Sequence, residues 1–153
     1  METKGVGARI AWSIESKRVM TELAGILGGH DLQLLDYEEG EVRRKALLAD
    51  YAVARDNGSL VAQTFADAAS FKKAVGQTLA QGSSNDLFDI LLQDSERKGV
   101  YRFAREDLAE CATCLLSYDG SSILAATLDG RHGVLLDVDD AGGGVVTFEL
   151  ESW

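Results

Sequence analysis

The strongest constraint in the chain is the stretch 117–153, where apolar and polar residues alternate with a period of two between glycine-bearing turns. Ile123, Ala125 and Thr127 alternate with Leu124, Ala126 and Leu128, and Asp129-Gly130 closes that run. Val134, Leu135, Leu136 and Val138 follow, then the triple glycine at 142–144, then Val145, Val146, Phe148 and Leu150 with Thr147, Glu149 and Glu151 facing the other way. Asp-Gly pairs tolerate the positive φ of tight hairpin turns, so this stretch reads as an antiparallel three-stranded meander.

The same region carries nearly all of the charge. From Glu106 to Trp153 there are ten carboxylates against one cation, Arg131, a net of −9, whereas the first 105 residues net −1. The formal charge of the 153-residue chain, −10, is therefore concentrated in one module. Such a balance disfavours nucleic acid as a direct ligand, because binding it relies on Lys and Arg to displace condensed counterions. It equally disfavours anionic membrane surfaces and leaves basic proteins as the favoured partners. No stretch reaches the roughly 18 to 20 apolar residues of a membrane span, and the start is not a basic-then-apolar leader. Two cysteines are too few for a disulfide framework, and the expected compartment is the cytoplasm.

Upstream, the expected organisation is a single α+β domain over 1–153, helices packed on antiparallel strands, with an internal joint near 82–85. Ile10, Trp12 and Ile14 alternate as a short strand would, with Trp12 in the core. Ser16 then reads as the cap of a helix burying Val19, Met20, Leu23 and Leu27, ended by Gly28-Gly29. A strand is expected over 32–37. The segment 41–55 has helical residue types, but Leu47, Ala49, Tyr51 and Val53 share a strand face, and Asn57-Gly58 before 60–65 is a hairpin signal. The hairpin is the favoured reading, with a helix capped by Gly58 as its alternative.

Asp67 reads as the N-cap of a helix burying Phe71, Val75 and Leu79, and Asn85 or Asp86 as the cap of a short helix carrying Leu87, Phe88, Leu91 and Leu92. A loop over 93–99, a brief strand over 100–103 and a helix over 105–116 complete the series.

No motif names a reaction. Cys111 and Cys114 have C-x-x-C spacing but lie near a helix C-terminus, where the field opposes thiolate formation, and no second pair supplies zinc ligands. They read as small buried hydrophobes. Asp137, Asp139 and Asp140 with Gly142 begin like a calcium loop, yet the fifth place is Ala141 and the closing carboxylate is missing at Phe148. His30 and His132 have no partner assignable by spacing, and with Tyr118 and Cys114 they would form only a scattered pocket. Arg43-Arg44-Lys45 is a basic cluster able to pair with the acidic module. No catalytic residue, metal site or cofactor is expected.

What the sequence favours is a non-enzymatic binding protein of the inhibitor or immunity type, occluding a basic partner such as a nuclease toxin or a nucleic-acid-handling defence protein. The partner-binding residues would be Asp129, Asp137, Asp139, Asp140, Glu149, Glu151 and Trp153; if the third strand lies at the sheet edge, Asp137, Asp139, Glu149 and Glu151 form one polar face with Trp153 beside them. The alternatives are a small enzyme or ligand-binding domain and an acidic secretion-type chaperone.

Overall fold

The computed structural model describes residues 2–27, 32–81, 87–120, 122–140 and 144–153. Among these residues, seven strands form one antiparallel sheet: β1 (Leu32–Leu34), β2 (Val61–Phe65), β3 (Leu87–Leu91), β4 (Val100–Ala104), β5 (Ser122–Thr127), β6 (Gly133–Asp140) and β7 (Val146–Ser152). Their order across the sheet is β1-β4-β3-β5-β6-β7-β2. Five helices among the described residues flank it: α1 (Glu2–Leu27), α2 (Tyr37–Asp56), α3 (Ala68–Gln81), the single turn α4 (Ser95–Lys98) and α5 (Arg105–Asp119). The α+β class and the meander are as the sequence predicts, with β5, β6 and β7 adjacent in order.

One face of the sheet carries the main core. Phe88, Ile90, Tyr101, Phe103, Ile123, Leu136 and Leu150 meet α1 through Val19, Leu23 and Leu27, α3 through Phe71, Val75 and Leu79, and α5 through Leu108, Ala112 and Leu115. The helical spacing of these sets is the amphipathic signal that made all three recognisable. Asp67 caps α3 as expected, accepting the Ser70 amide at 2.7 Å.

The second face is covered over part of its width by α2. Along that helix Gly40, Leu47 and Ala54 are buried, a spacing of seven that points one stripe at the sheet. Beneath it Leu35, Leu47, Leu91, Val100, Leu124 and Ala126 form a smaller second core, thinning out at Tyr51, Leu135 and Trp153. Asp36 caps α2 by accepting the Glu39 amide at 2.8 Å, and Glu38, Glu39 and Arg55 stand at the ends that suit the helix dipole. The hairpin reading of 41–55 is therefore wrong, and Asn57-Gly58 ends a helix. Gly58 takes φ 75°, and the Ser59 amide returns to the Ala54 carbonyl at 2.9 Å. The strand over 60–65 is real, but it pairs with β7 and not with a neighbour in sequence.

Four other expectations fall. Ile10, Trp12 and Ile14 lie inside α1, and Ile10 and Ile14 are exposed. Trp12 is half-buried, edge-on to Tyr37 at 5.4 Å. Ser16 is a buried mid-helix residue and not a cap. The segment 87–91 is strand β3, not a helix, and the expected loop after it contains α4. Finally, α5 runs past its expected end at 116 to Asp119, with Gly120 as a left-handed cap at φ 91°. The joint near 82–85 and the caps at Gly28, Gly29, Asn85 and Asp86 lie outside the described residues. No helix among the described residues is long and apolar enough to cross a membrane.

Two features lock α2 and the C-terminus to the sheet. Asp89 on β3 is fully buried between two arginines. Arg102, its direct neighbour on β4, reaches Oδ1 at 2.7 Å and Oδ2 at 3.2 Å, and Arg43 on α2 reaches Oδ2 at 2.6 Å. Arg43 also donates to the Leu128 and Thr127 carbonyls, at 3.2 and 3.3 Å. At the chain end, Trp153 and Gly133 exchange backbone hydrogen bonds, and the indole lies directly on Gly133. A Cβ there would stand 2.1 Å from the ring.

Removing the carboxylate would strand two guanidiniums that are each only 17% exposed. Asp89→Ala is therefore expected to lower the unfolding free energy by roughly 3–5 kcal/mol in urea titrations, against no more than about 0.5 kcal/mol for the exposed Asp139→Ala. A loss below about 1 kcal/mol would mean that the arginines rehydrate and the cluster is dispensable. Gly133→Ala must displace the indole, and is expected to cost about 1–3 kcal/mol and to shift Trp153 fluorescence. An unchanged melting curve would refute that packing.

Candidate functional site: an open acidic sheet face

Because side chains alternate along a strand, β6 and β7 send two different sets to the two faces of the sheet. Leu136, Val138, Phe148 and Leu150 go to the three-helix side. Asp137, Asp139, Glu149 and Glu151 go to the other. The register places Asp137 directly opposite Glu149, Asp139 opposite Thr147, and Leu135 opposite Glu151. One strand further out, Ala62 lies beside Glu151 and Thr64 beside Glu149. The second core ends at Tyr51, Leu135 and Trp153, so Asp137 and Glu151 are half-buried at its margin while Asp139 and Glu149 lie exposed beyond it.

Two neutral hydroxyls mark the border. Ser122 Oγ donates to Asp137 at 3.1 Å, and the Tyr51 hydroxyl on α2 donates to Glu151 at 3.1 Å. Burial first, then the Glu151 carboxylate, pushes the Tyr51 hydroxyl above its ordinary pKa, so it stays a donor. Among the described residues, no lysine or arginine lies within ion-pair distance of Asp137, Asp139, Glu149 or Glu151. Arg55, one turn beyond Tyr51, is paired with Asp56 at 3.2 Å. The basic cluster at 43–45 pairs elsewhere, Arg43 with Asp89 and Arg44 with Glu41 and Glu96.

The structure thus brings together four of the seven residues that the sequence nominates. Asp129 sits in the β5–β6 turn, accepting Thr127 Oγ1 at 2.6 Å and the Arg131 amide at 3.0 Å. Asp140 belongs to the opposite face, by the alternation of β6. Trp153 packs on Gly133 and edge-on to Tyr51 at 5.9 Å, so its ring closes the second core beside the acids. The expectation that β7 forms the sheet edge is corrected: β2 lies outside it. The same alternation separates Asp140 from Asp137 and Asp139, and Ala141 and Gly142 lie outside the described residues. No group of three or more His, Cys, Asp or Glu able to hold a metal ion occurs among the described residues.

The other nominated side chains do not converge. Cys111 is buried, and burial raises its thiol pKa, whereas Cys114 is exposed, so only the first is the buried hydrophobe expected of both. Tyr118 is committed to Glu22 on α1. His30 lies outside the described residues. His132 lines a cavity of about 320 Å³ with Ser59, Thr78, Gln81 and Ser152, over an apolar floor of Leu79, Phe88 and Val134.

Sequence reasoning missed Tyr51 as the wall of the acidic face and Asp89 as the anchor of α2. A signal existed for the second: Asp89 is the one charge in an apolar run, and Arg102 is the one charge in the run that pairs with it. A search of protein families finds no model that matches the chain, and a comparison with curated proteins finds none that matches it in sequence.

Proposed function

We propose that the protein is a non-enzymatic binding protein of the cytoplasm whose open sheet face captures and occludes a basic protein. The observation that carries this reading is the direct opposition of Asp137 and Glu149, with Asp139 and Glu151 on the same face and no internal cation to pair with them among the described residues. Like charges placed opposite each other on neighbouring strands destabilise a sheet by tenths of a kcal/mol to about 1 kcal/mol. A cationic surface laid against them would remove that repulsion, and the concentrated field would speed its arrival. An inhibitor of immunity or anti-defence type, acting on a nuclease or another nucleic-acid-handling protein, fits this chemistry, because such targets present cationic grooves made for phosphate.

A second reading, a small-ligand domain, has one observation in its favour. The cavity beside His132 is rimmed by the neutral polar side chains Ser59, Thr78, Gln81 and Ser152 above an apolar floor, which is the usual composition of a ligand pocket. It lies toward the three-helix side of the sheet, so variants there and variants on the acidic face separate the two readings.

The test combines Asp137→Asn, Asp139→Asn and Glu149→Gln in one variant and compares it with Glu38→Gln, Asp56→Asn and Glu106→Gln, which change the net charge equally elsewhere. The first variant is expected to slow association with a basic partner captured from host lysate by about tenfold or more, and to flatten its salt dependence. The control should leave both nearly unchanged. Equal effects from the two variants would reduce the interaction to net charge and remove the acidic face as a site.

A further inference from the structure

We propose that strand β2 is a docking edge, where an extended lysine- or arginine-bearing segment of the partner adds to the sheet as an eighth strand. The inference rests on the acidic-face reading for the charge of the occupant, and on the sheet topology for the place.

An edge strand exposes a row of unpaired backbone N–H and C=O groups, and proteins guard such rows with charge, proline, a bulge, brevity or a covering element. β2 is last in the sheet order and has none of these. Its sequence, Val-Ala-Gln-Thr-Phe, is uncharged, and the whole chain lacks proline. The five residues pair with β7 in unbroken register, so no bulge twists the edge away. Val61, Ala62, Gln63 and Thr64 are all exposed, Val61 to 57%, so four of the strand's five residues are left uncovered. The opposite edge contrasts with it: β1 is only three residues long. Phe65 alone is tied down, edge-on to Phe71 at 6.0 Å, and this fixes the strand without closing its outer side.

Charge selects the occupant. On the acidic face β2 presents only the small side chains of Ala62 and Thr64, and Glu151 and Glu149 lie directly behind them. An added strand would run about 10 Å from β7, two strand spacings, a gap that long cationic side chains can lean across. Alternating lysines or arginines on that strand would then meet the row formed by Glu149, Glu151, Asp137 and Asp139. A second copy of the chain, paired β2 to β2, would instead bring two acidic rows to about 14 Å with no cation between them, three strand spacings apart. Main-chain pairing would supply affinity, and the acidic row would set which sequences are accepted.

The test uses the whole protein and two synthetic nonapeptides, one alternating lysine with valine and one with proline in place of each valine. The two carry the same charge, but only the first can extend a sheet. Hydrogen exchange is followed at the amides of 61–65. Saturating lysine–valine peptide at low salt is expected to slow the outward-pointing amides there at least tenfold, and the proline peptide to leave them unchanged. If both peptides bind alike, weaken with Glu149→Gln and Glu151→Gln, and protect no amide of β2, the edge proposal falls and the acidic-face reading stands. If neither peptide binds at low salt, both fall. Protection of 61–65 that grows with protein concentration alone would assign the edge to a second copy and overturn the basic segment.

Discussion

The buried contact of Asp89 with Arg43 and Arg102 decides which half of the second sheet face is closed and which is open. A carboxylate with no exposure on a central strand must be neutralised locally, because an unpaired buried charge costs several kcal/mol. Arg102 supplies half of that neutralisation from the neighbouring strand, and Arg43 can supply the rest only if α2 lies across β3 and β5. The helix is thereby fixed over one side of the sheet by a directional interaction, to which the burial of Leu47 and Ala54 adds area but little direction. Beyond Leu135 and Trp153, the second face of the outer strands is left without a lid.

That arrangement explains why the C-terminal module can be as acidic as it is. Carboxylates on a covered face would each need a partner of the kind Asp89 has, and no described lysine or arginine is placed within reach of these four. On an open face they need only water. The alternation in β6 and β7 then separates the two demands on one pair of strands. Leu136, Val138, Phe148 and Leu150 complete the three-helix core, while Asp139 and Glu149 remain exposed and the half-buried Asp137 and Glu151 accept from Ser122 and Tyr51. Tyr51 and Trp153 mark the line where covered sheet becomes open sheet, Tyr51 through its hydroxyl on Glu151 and Trp153 through its indole on Gly133.

What was legible in the sequence follows the same division. The meander, α3 and α5 were readable because each has one buried face, and one-sided burial prints a clean period of two or of three to four. β3 was misread because it is buried on both faces; its apolar run has no alternation, and a short run of that kind cannot be told from a helix turn by period alone. α2 was misread for the opposite reason. Its buried stripe contains a glycine, a leucine and an alanine, too little apolar bulk to outweigh the neighbouring strand-like alternation, and it is held by an arginine that pattern reading assigns to solvent. At the N-terminus, Ile10 and Ile14 are two apart from Trp12 and four apart from each other, so they satisfy both periods, and only the structure shows that their face is exposed. The acidic site was half legible: strand alternation fixed the shared face of four carboxylates, but no local signal could reveal that a strand more than eighty residues upstream would become the edge beside them.

The placement of β2 changes what kind of surface the acids make. With β7 at the margin, Glu149 and Glu151 would themselves guard the edge, as charged residues do on many outer strands. With β2 outside it, the guards lie one strand inward and the true edge is neutral, so charge no longer protects the backbone row but stands behind it. Attraction of a cationic chain and availability of main-chain hydrogen bonds then occur side by side, and each compensates for a weakness of the other. Steering alone gives rapid but unspecific encounter, and strand pairing alone gives register without choice of partner. A neutral edge backed by an acidic row offers both only to a chain that is extended and basic, which is a narrower requirement than net charge could impose.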